Sequence, residues 1–247
     1  MAESGQLMMY SDIRKEVGHL RGYGLDIDEW TAEQKELVEL ILKRGTNKFY
    51  TGASYDWNFL KPLVTLTILD DSESLLLPVN FAYLIGEIYF DGSNAGCPLA
   101  VENEAVVFRR RNSAVTSTGI PQFACITPEA PGSTHGPRQL LSFWPTADQD
   151  YEITFRYSVL PEALSTAQPY PYGGQAHSNT ILEACLAASE QMDGNLGIHT
   201  ILYSQALSGS IEHDRRTKAQ ALGTENRLRR PYRYSNIITP QSGFYNA

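Results

Sequence analysis

The sequence has no paired cysteines and no long apolar run, and each absence excludes a class of protein. Its three cysteines, Cys97, Cys125 and Cys185, are widely spaced, so neither a disulfide framework nor a paired-cysteine metal site is predicted. No run of about 18 apolar residues occurs, which argues against a membrane span. The first residues also lack the basic and apolar regions of a signal peptide. We therefore expect the chain to be made in a cytoplasm.

Motifs for phosphate binding, metal binding and nucleophilic catalysis are also missing. The sequence contains no GxxxxGK[ST], GxGxxG, GxSxG or HExxH, and no two of its five histidines are spaced i, i+4. Cys125 stands in an apolar strand pattern, where an inert buried thiol is expected. Asp70 and Asp71 are typical of a polar turn, as are Asp148 and Asp150. We predict no catalytic residue, no metal, no cofactor and no enzyme activity; the alternative is a hydrolase that uses scattered Asp, His or Cys.

The chain as a whole is acidic, but one segment in its C-terminal region is basic. The 247 residues have a net charge of −8, which argues against general nucleic-acid binding because duplex affinity depends largely on neutralising phosphates. Residues 209–233 hold seven basic and three acidic side chains, a local charge of +4. Because residues 234–247 are uncharged, residues 1–208 carry −12.

Helical patterns occupy the N-terminal region. Apolar residues recur at three- and four-residue spacing from Tyr10 to Leu20. A second helix is predicted to begin at Thr31, whose hydroxyl forms a capping box with Gln34. Its apolar residues at 37–42 cover more than half of the circumference, which predicts contacts on two sides.

The central region changes to the period of strands. Residues 64–68 and 151–157 alternate between apolar and polar side chains, as half-buried strands do. Seven or eight short strands bounded by turn residues predict an antiparallel sandwich or barrel. The remaining strand candidates are the apolar runs at 74–78, 83–90, 105–109, 122–127 and 139–144.

Helical patterns return after the central region. One helix is predicted from a face formed by Ile181, Leu182, Cys185, Leu186, Ser189 and Met192. Another is predicted from about 196 to 222, in which Gly209 could produce a kink. The predicted class is α+β: a helical bundle formed by the N- and C-terminal helices, an inserted antiparallel β-sandwich or barrel-like domain, and an extended C-terminal tail. The predicted boundaries are 1–55 for the N-terminal helices, 56–165 for the β-rich domain, 166–223 for the C-terminal helices and 224–247 for the arm.

The C-terminal arm holds the candidate binding residues. Its arginines and tyrosines are compatible with nucleic acid, through charge and stacking, with an acidic protein surface, or with a solvated tail. The acidic remainder of the chain and the apolar end of the arm favour a protein groove. The candidates are Arg227, Arg229, Arg230, Tyr232, Arg233, Tyr234, Ile237, Ile238, Phe244 and Tyr245.

The order of several segments resembles that of the head-to-tail adaptor proteins of tailed bacteriophages, the group that includes tail tubular protein A. The similarity covers about residues 8–220. It is carried by KFYTG, WNFLKPLVTLTI (57–68), LLLPVNFAYLIGEIYF (75–90), TGIPQFACI (118–126), LSFWPTADQDYEITFRY (141–157) and HSNTILEACLAASE (177–190).

This resemblance implies a structural protein of the virion neck, made in the host cytoplasm. It implies a ring of usually twelve copies beneath the portal protein that extends the DNA channel without sequence-specific DNA binding. The ring would also be the platform for a downstream neck or tail protein. It implies no catalytic residue, and the C-terminal arm corresponds by position to the segment that reaches the portal.

A second hypothesis is a β-sandwich binding module, such as a carbohydrate-binding tail protein or a capsid accessory protein. It requires exposed aromatic side chains, for which Trp57, Trp144, Tyr170 and Tyr172 are the candidates.

Overall fold

The computed structural model describes residues 7–52, 54–92, 98–113, 117–130, 138–194 and 197–217. It is a mixed α+β structure with helices at both ends of the described chain and strands between them, as the α+β prediction requires. Within these residues no helix is both long enough and apolar enough to cross a bilayer.

The N-terminal helices begin and end largely where the pattern predicts. Helix α1 spans Tyr10–Leu20 and helix α2 spans Ala32–Tyr50. The predicted capping box is present: the Gln34 amide donates to Thr31 Oγ1 at 3.2 Å, and the Thr31 amide donates to Gln34 Oε1 at 2.9 Å. Leu20, predicted to belong to the apolar face of α1, is exposed instead.

The seven strands form one sheet that nearly closes into a barrel. They are β1 (Leu63–Ile68), β2 (Ser74–Leu76), β3 (Phe81–Phe90), β4 (Pro98–Val101), β5 (Phe123–Pro128), β6 (Gln139–Trp144) and β7 (Tyr151–Val159), in the order β1-β7-β3-β4-β5-β6-β2. The edge strands β1 and β2 are consecutive in the chain. The turn between them, at 69–73, therefore brings the two ends of the sheet together.

Two predictions for the central region are wrong. The apolar run at 105–109 lies in helix α3 (Glu104–Arg111). Asn103 caps this helix, because its Oδ1 accepts a hydrogen bond from the Ala105 amide at 2.9 Å. Short apolar runs do not distinguish a strand from a helix. The sheet is also not wholly antiparallel: β4 and β5 are parallel, with Ala100 opposite Phe123. Helix α3 lies in the connection between them, and parallel neighbours require such a crossover.

The C-terminal helices are α4 (Gln175–Met192) and α5 (Ile198–Thr217). Helix α4 contacts α1, α2 and α5. It approaches α2 so closely that a Cβ built on Gly45 would lie 2.4 Å from the Cα of Cys185. Helix α5 runs as one helix through Gly209 and is described as far as Thr217.

Candidate functional site

The ten predicted binding residues of the arm lie outside the described residues. The structure describes the chain before the arm as far as Thr217 in α5. A cavity of about 820 Å³ lies there, between the helices, the strands β3 and β7, and the segment before β1. It is lined by Asn58, Phe59, Lys61, Ile85, Arg156, Gly173, Ala176, His177, His213, Asp214 and Thr217.

Asp214 fastens the end of α5 to the segment before β1. Its side chain is only 1% exposed and accepts a hydrogen bond from the Tyr55 hydroxyl at 3.0 Å. The Asn58 amide donates to both carboxylate oxygens, at 3.2 and 3.1 Å, and Asn58 Nδ2 donates to the Asp214 carbonyl at 2.9 Å. Burial, followed by the hydrogen bond to Asp214, raises the pKa of Tyr55. A buried carboxylate needs such donors, so the end of α5 has a fixed position.

An aromatic cluster supports this attachment from the core side. Trp57 is 1% exposed, and its ring lies 4.6 Å from that of Phe49, 4.8 Å from that of Tyr55 and 5.4 Å from that of His177. Such ring pairs stabilise a core beyond the area that they bury. The position of Asn58, directly after Trp57, is therefore set by the core.

The cavity also brings together His177 and His213, which no spacing in the sequence connects. The rings of His177 and His213 are 5.6 Å apart. Burial, followed by the charge of His213, lowers the pKa of His177, and Asp214 opposes this shift. They stand on different helices, so i, i+4 spacing gives no signal. Only the adjacency of His213 and Asp214 is visible in the sequence.

The polar groups around Asp214 bond to one another within the protein. The Asp214 oxygens accept hydrogen bonds from Tyr55 and Asn58, and the described residues that line the cavity include no serine or cysteine. Among the described residues, no cluster of three His, Cys, Asp or Glu side chains is placed to hold a metal ion. The arrangement joins helix α5 to the rest of the protein.

The two described cysteines are free and buried. Burial raises the pKa of the Cys125 thiol, and it raises the pKa of Cys185 to about 12. Because the thiolate is the reactive form, both are poor nucleophiles. The prediction of a buried thiol at Cys125 is confirmed.

The aromatic residues proposed for a glycan site are mostly engaged elsewhere. Trp57 is in the core. Trp144 lies under the guanidinium of Arg110, which is 5.3 Å from its ring centroid, and Tyr172 packs against Tyr50. Of the four, Tyr170 alone is exposed, so these residues form no aromatic platform.

An apolar surface lies at the opposite end of α5. Ile198 and Ile201 are 64% and 60% exposed. The ion pair of Arg21 with Asp193 places the end of α1, with exposed Leu20, near the start of α5. Exposed apolar side chains of this kind are found at contacts between proteins, and no sequence pattern distinguishes them from core residues.

One comparison with known proteins gives a match over most of the chain. A family model described as SU10 adaptor protein matches residues 8–231. This finding agrees with the resemblance to phage adaptors, but it does not extend to the tail tubular protein A-like type. No curated protein matches the chain.

Proposed function

Because the chain belongs to the SU10 adaptor protein family, a family of phage adaptors, we propose that it is a structural head-to-tail adaptor of a bacteriophage virion. In this proposal twelve copies form a ring beneath the portal protein, extend the DNA channel and provide the platform for the next neck or tail protein. The match over residues 8–231 is the observation that carries the proposal. The protein acts by assembly and has no catalytic role.

The arm is proposed to bind the portal. Its candidate contact residues are the arginines, tyrosines and apolar residues from Arg227 to Tyr245 named above. The fixed position of the second half of α5 supports this role, because an arm tethered to a fixed helix loses less freedom on binding than one tethered to a mobile helix. Asp214, with Tyr55 and Asn58, holds this half of the helix.

The apolar surface at the start of α5 is proposed to contact the next copy in the ring. A closed ring repeats one heterologous contact, so a patch on one copy meets a different patch on its neighbour. Ile198, Ile201 and Leu20 form the candidate patch. In the proposed division of the chain, helices of 1–55 and 166–223 form the bundle that makes this contact, and the domain of 56–165 projects from it.

The charge distribution supports passage of DNA without sequence-specific binding. The −12 charge of residues 1–208 repels phosphates, which is useful in a channel wall. The positive segment is confined to the end of α5 and the arm, where the portal is the proposed partner.

The arm assignment is tested by co-sedimentation with the purified portal. We expect the full chain to sediment with the portal, and a chain ending at residue 223 to bind at least about tenfold more weakly, a loss of about 1.4 kcal/mol. Both forms should have the same circular dichroism spectrum. Equal binding by the two forms would show that the arm is not the portal contact, and no binding by the full chain would overturn the adaptor proposal.

A further inference from the structure

Strand β1 leaves a row of backbone groups without partners. Among the described strands it pairs with β7 alone, with Leu63 opposite Arg156 and Ile68 opposite Tyr151. The carbonyl of Pro62 accepts from the amide of Tyr157 at 3.4 Å. Bonded pairs alternate along an antiparallel ladder, so the even-numbered residues of β1 bond to β7. The amide and carbonyl groups of Leu63, Thr65 and Thr67 therefore point away from the sheet, and they have no partner in the part of the chain that the structure describes.

This edge lacks the features that usually protect a sheet edge. Residues 63–68 read LVTLTI, without charge or proline, and Leu63 is 64% exposed. Natural edge strands are generally short, charged or covered. The other edge of the sheet, β2, is only three residues long. Of the two edge strands, β1 is therefore the one to which a further strand can pair.

The two ends of the β1 edge differ in charge, because its start carries cations with acidic neighbours, Lys61 being paired with Asp56, and its far end carries carboxylates alone. At its start are Lys61 and Arg156, which both line the cavity beside the end of α5. At its far end are four exposed carboxylates, and no ion pair among the described residues involves any of them. They are Asp70, Asp71, Asp150 and Glu152.

The chain leaves the described structure beside this edge. Thr217, the last described residue of α5, lines the same cavity as Lys61 and Arg156, so the described chain stops near the beginning of β1. Within the arm, residues 234–239 read YSNIIT, uncharged and rich in residues that favour strands. Four arginines precede this segment, between 227 and 233, and Pro240 follows it.

We propose that residues 234–239 of the same chain add to the open edge of β1 as an antiparallel strand. In that direction the four arginines lie beside the four carboxylates, and Ile237 and Ile238 contribute apolar surface beside Leu63. The sixteen residues from 218 to 233 span at most about 50 Å, at about 3.3 Å per residue, whereas β1 is only about 20 Å long. The tether gives the chain's own arm a high effective concentration at β1.

This inference concerns the free chain and does not depend on the portal. If the arm also docks on the portal, the portal displaces it from β1. The free chain then protects an edge that would otherwise pair with other molecules.

The test is residue-resolved amide hydrogen exchange on the full chain. With the added strand, the amides of Leu63, Thr65 and Thr67 should exchange at least about tenfold more slowly than in the double variant Ile237→Asp/Ile238→Asp, because a bonded amide exchanges only when the structure opens. The even-numbered amides Val64 and Leu66, bonded to β7, should exchange alike in both. The matched control, Phe244→Asp/Tyr245→Asp, changes two apolar residues of the arm outside the segment and should preserve the protection.

Equal exchange of the odd-numbered amides in the full chain and the Ile237/Ile238 variant would overturn the proposal. Repeating the measurement over about a hundredfold range of protein concentration identifies the source of the strand. Protection that does not change, in a particle of one-chain mass, supports the chain's own arm. Protection that appears only with dimers or larger species would overturn the assignment to the same chain.

Discussion

Helices α4 and α5 are neighbours of similar length, but different interactions hold them in the protein. Eleven of the eighteen residues of α4 are buried, most of them apolar or small, whereas α5 buries only Tyr203, Ser210 and Asp214 among its twenty. Helix α4 is therefore part of the core. Helix α5 packs along α4, with Tyr203 in the core and Leu207 and Ile211 partly buried against it, but it leaves more of its surface exposed than α4 does.

Hydrogen bonds along its length add to the packing of α5. At its start, the Glu190 carboxylate of α4 accepts from the amides of His199 and Thr200, at 3.2 and 3.1 Å. In its second half, Ser210 shares a 2.7 Å hydrogen bond with Thr180. At its end, Asp214 bonds to Tyr55 and Asn58. Hydrogen bonds are directional, so these contacts help to fix the orientation of α5 while Ile198 and Ile201 stay exposed.

The largest difference between the two helices should appear on truncating an isoleucine in each. Ile181 of α4 is fully buried and Ile201 of α5 is 60% exposed. Ile181→Ala should lower the free energy of unfolding by about 3 kcal/mol, through lost burial and a cavity. Ile201→Ala should change it by less than about 0.5 kcal/mol. Urea denaturation measures both, and similar losses would contradict the assignment of α5 to the periphery.

The sequence correctly predicts those elements whose pattern depends only on residues close together in the chain. The Thr31–Gln34 capping box and the alternation at 64–68 and 151–157 each depend on neighbours in sequence, and all three are confirmed. The run at 105–109 was assigned wrongly because five apolar or basic residues fit either a strand or a helix. The helix is favoured by its N-terminal cap, Asn103, one residue before α3. The parallel pairing of β4 and β5 follows from that helix and was missed with it.

The contacts at the end of α5 could not be found from spacing. Asp214 meets Tyr55 and Asn58 more than 150 positions earlier in the chain, and this juxtaposition exists only after folding. The exposure of Ile198 and Ile201 was equally hidden, because an apolar helix residue looks the same in sequence whether it faces the core or a partner.

Two glycines give a second test, because Gly45 of α2 lies against α4 whereas Gly209 of α5 faces open space. Gly45→Ala places a Cβ 2.4 Å from the Cys185 Cα and should lower stability by about 2 kcal/mol. Gly209→Ala in α5 meets open space and should raise stability by about 0.5–1 kcal/mol, since alanine favours the helix. The midpoint of urea unfolding should move in opposite directions, and a shift of the same sign in both would contradict the comparison.

The hydrogen bonds of Asp214 near the end of α5 should contribute less to the free energy of unfolding than the packing contacts above. Asp214→Asn removes a buried charge that accepts hydrogen bonds from Tyr55 and Asn58, so stability should fall by about 1–2 kcal/mol. The matched change on the same helix is Glu212→Gln, which affects an exposed ion pair with Arg216 and should cost less than about 0.5 kcal/mol. If Glu212→Gln costs as much as Asp214→Asn, the attachment is not specific to Asp214.

The smallest effect should be a dependence on pH, confined to the acid side. Burial lowers the pKa of His177 below its ordinary 6.5, so below that pH the unfolded chain binds a proton at this residue more readily than the folded chain. Stability should therefore decrease as the pH falls below about 6.5 and be unaffected by this residue above about 7.5. In His177→Gln the decrease should be shallower, and an unchanged pH dependence would show that His177 does not contribute to it.

Single-particle imaging of the portal mixed with the full chain tests the central claim most directly. The adaptor account predicts a ring of this protein stacked on the portal, coaxial with its channel, in which α5 contacts the neighbouring copy through Ile198 and Ile201. A portal that carries no added ring, under conditions in which both proteins are folded, would contradict it.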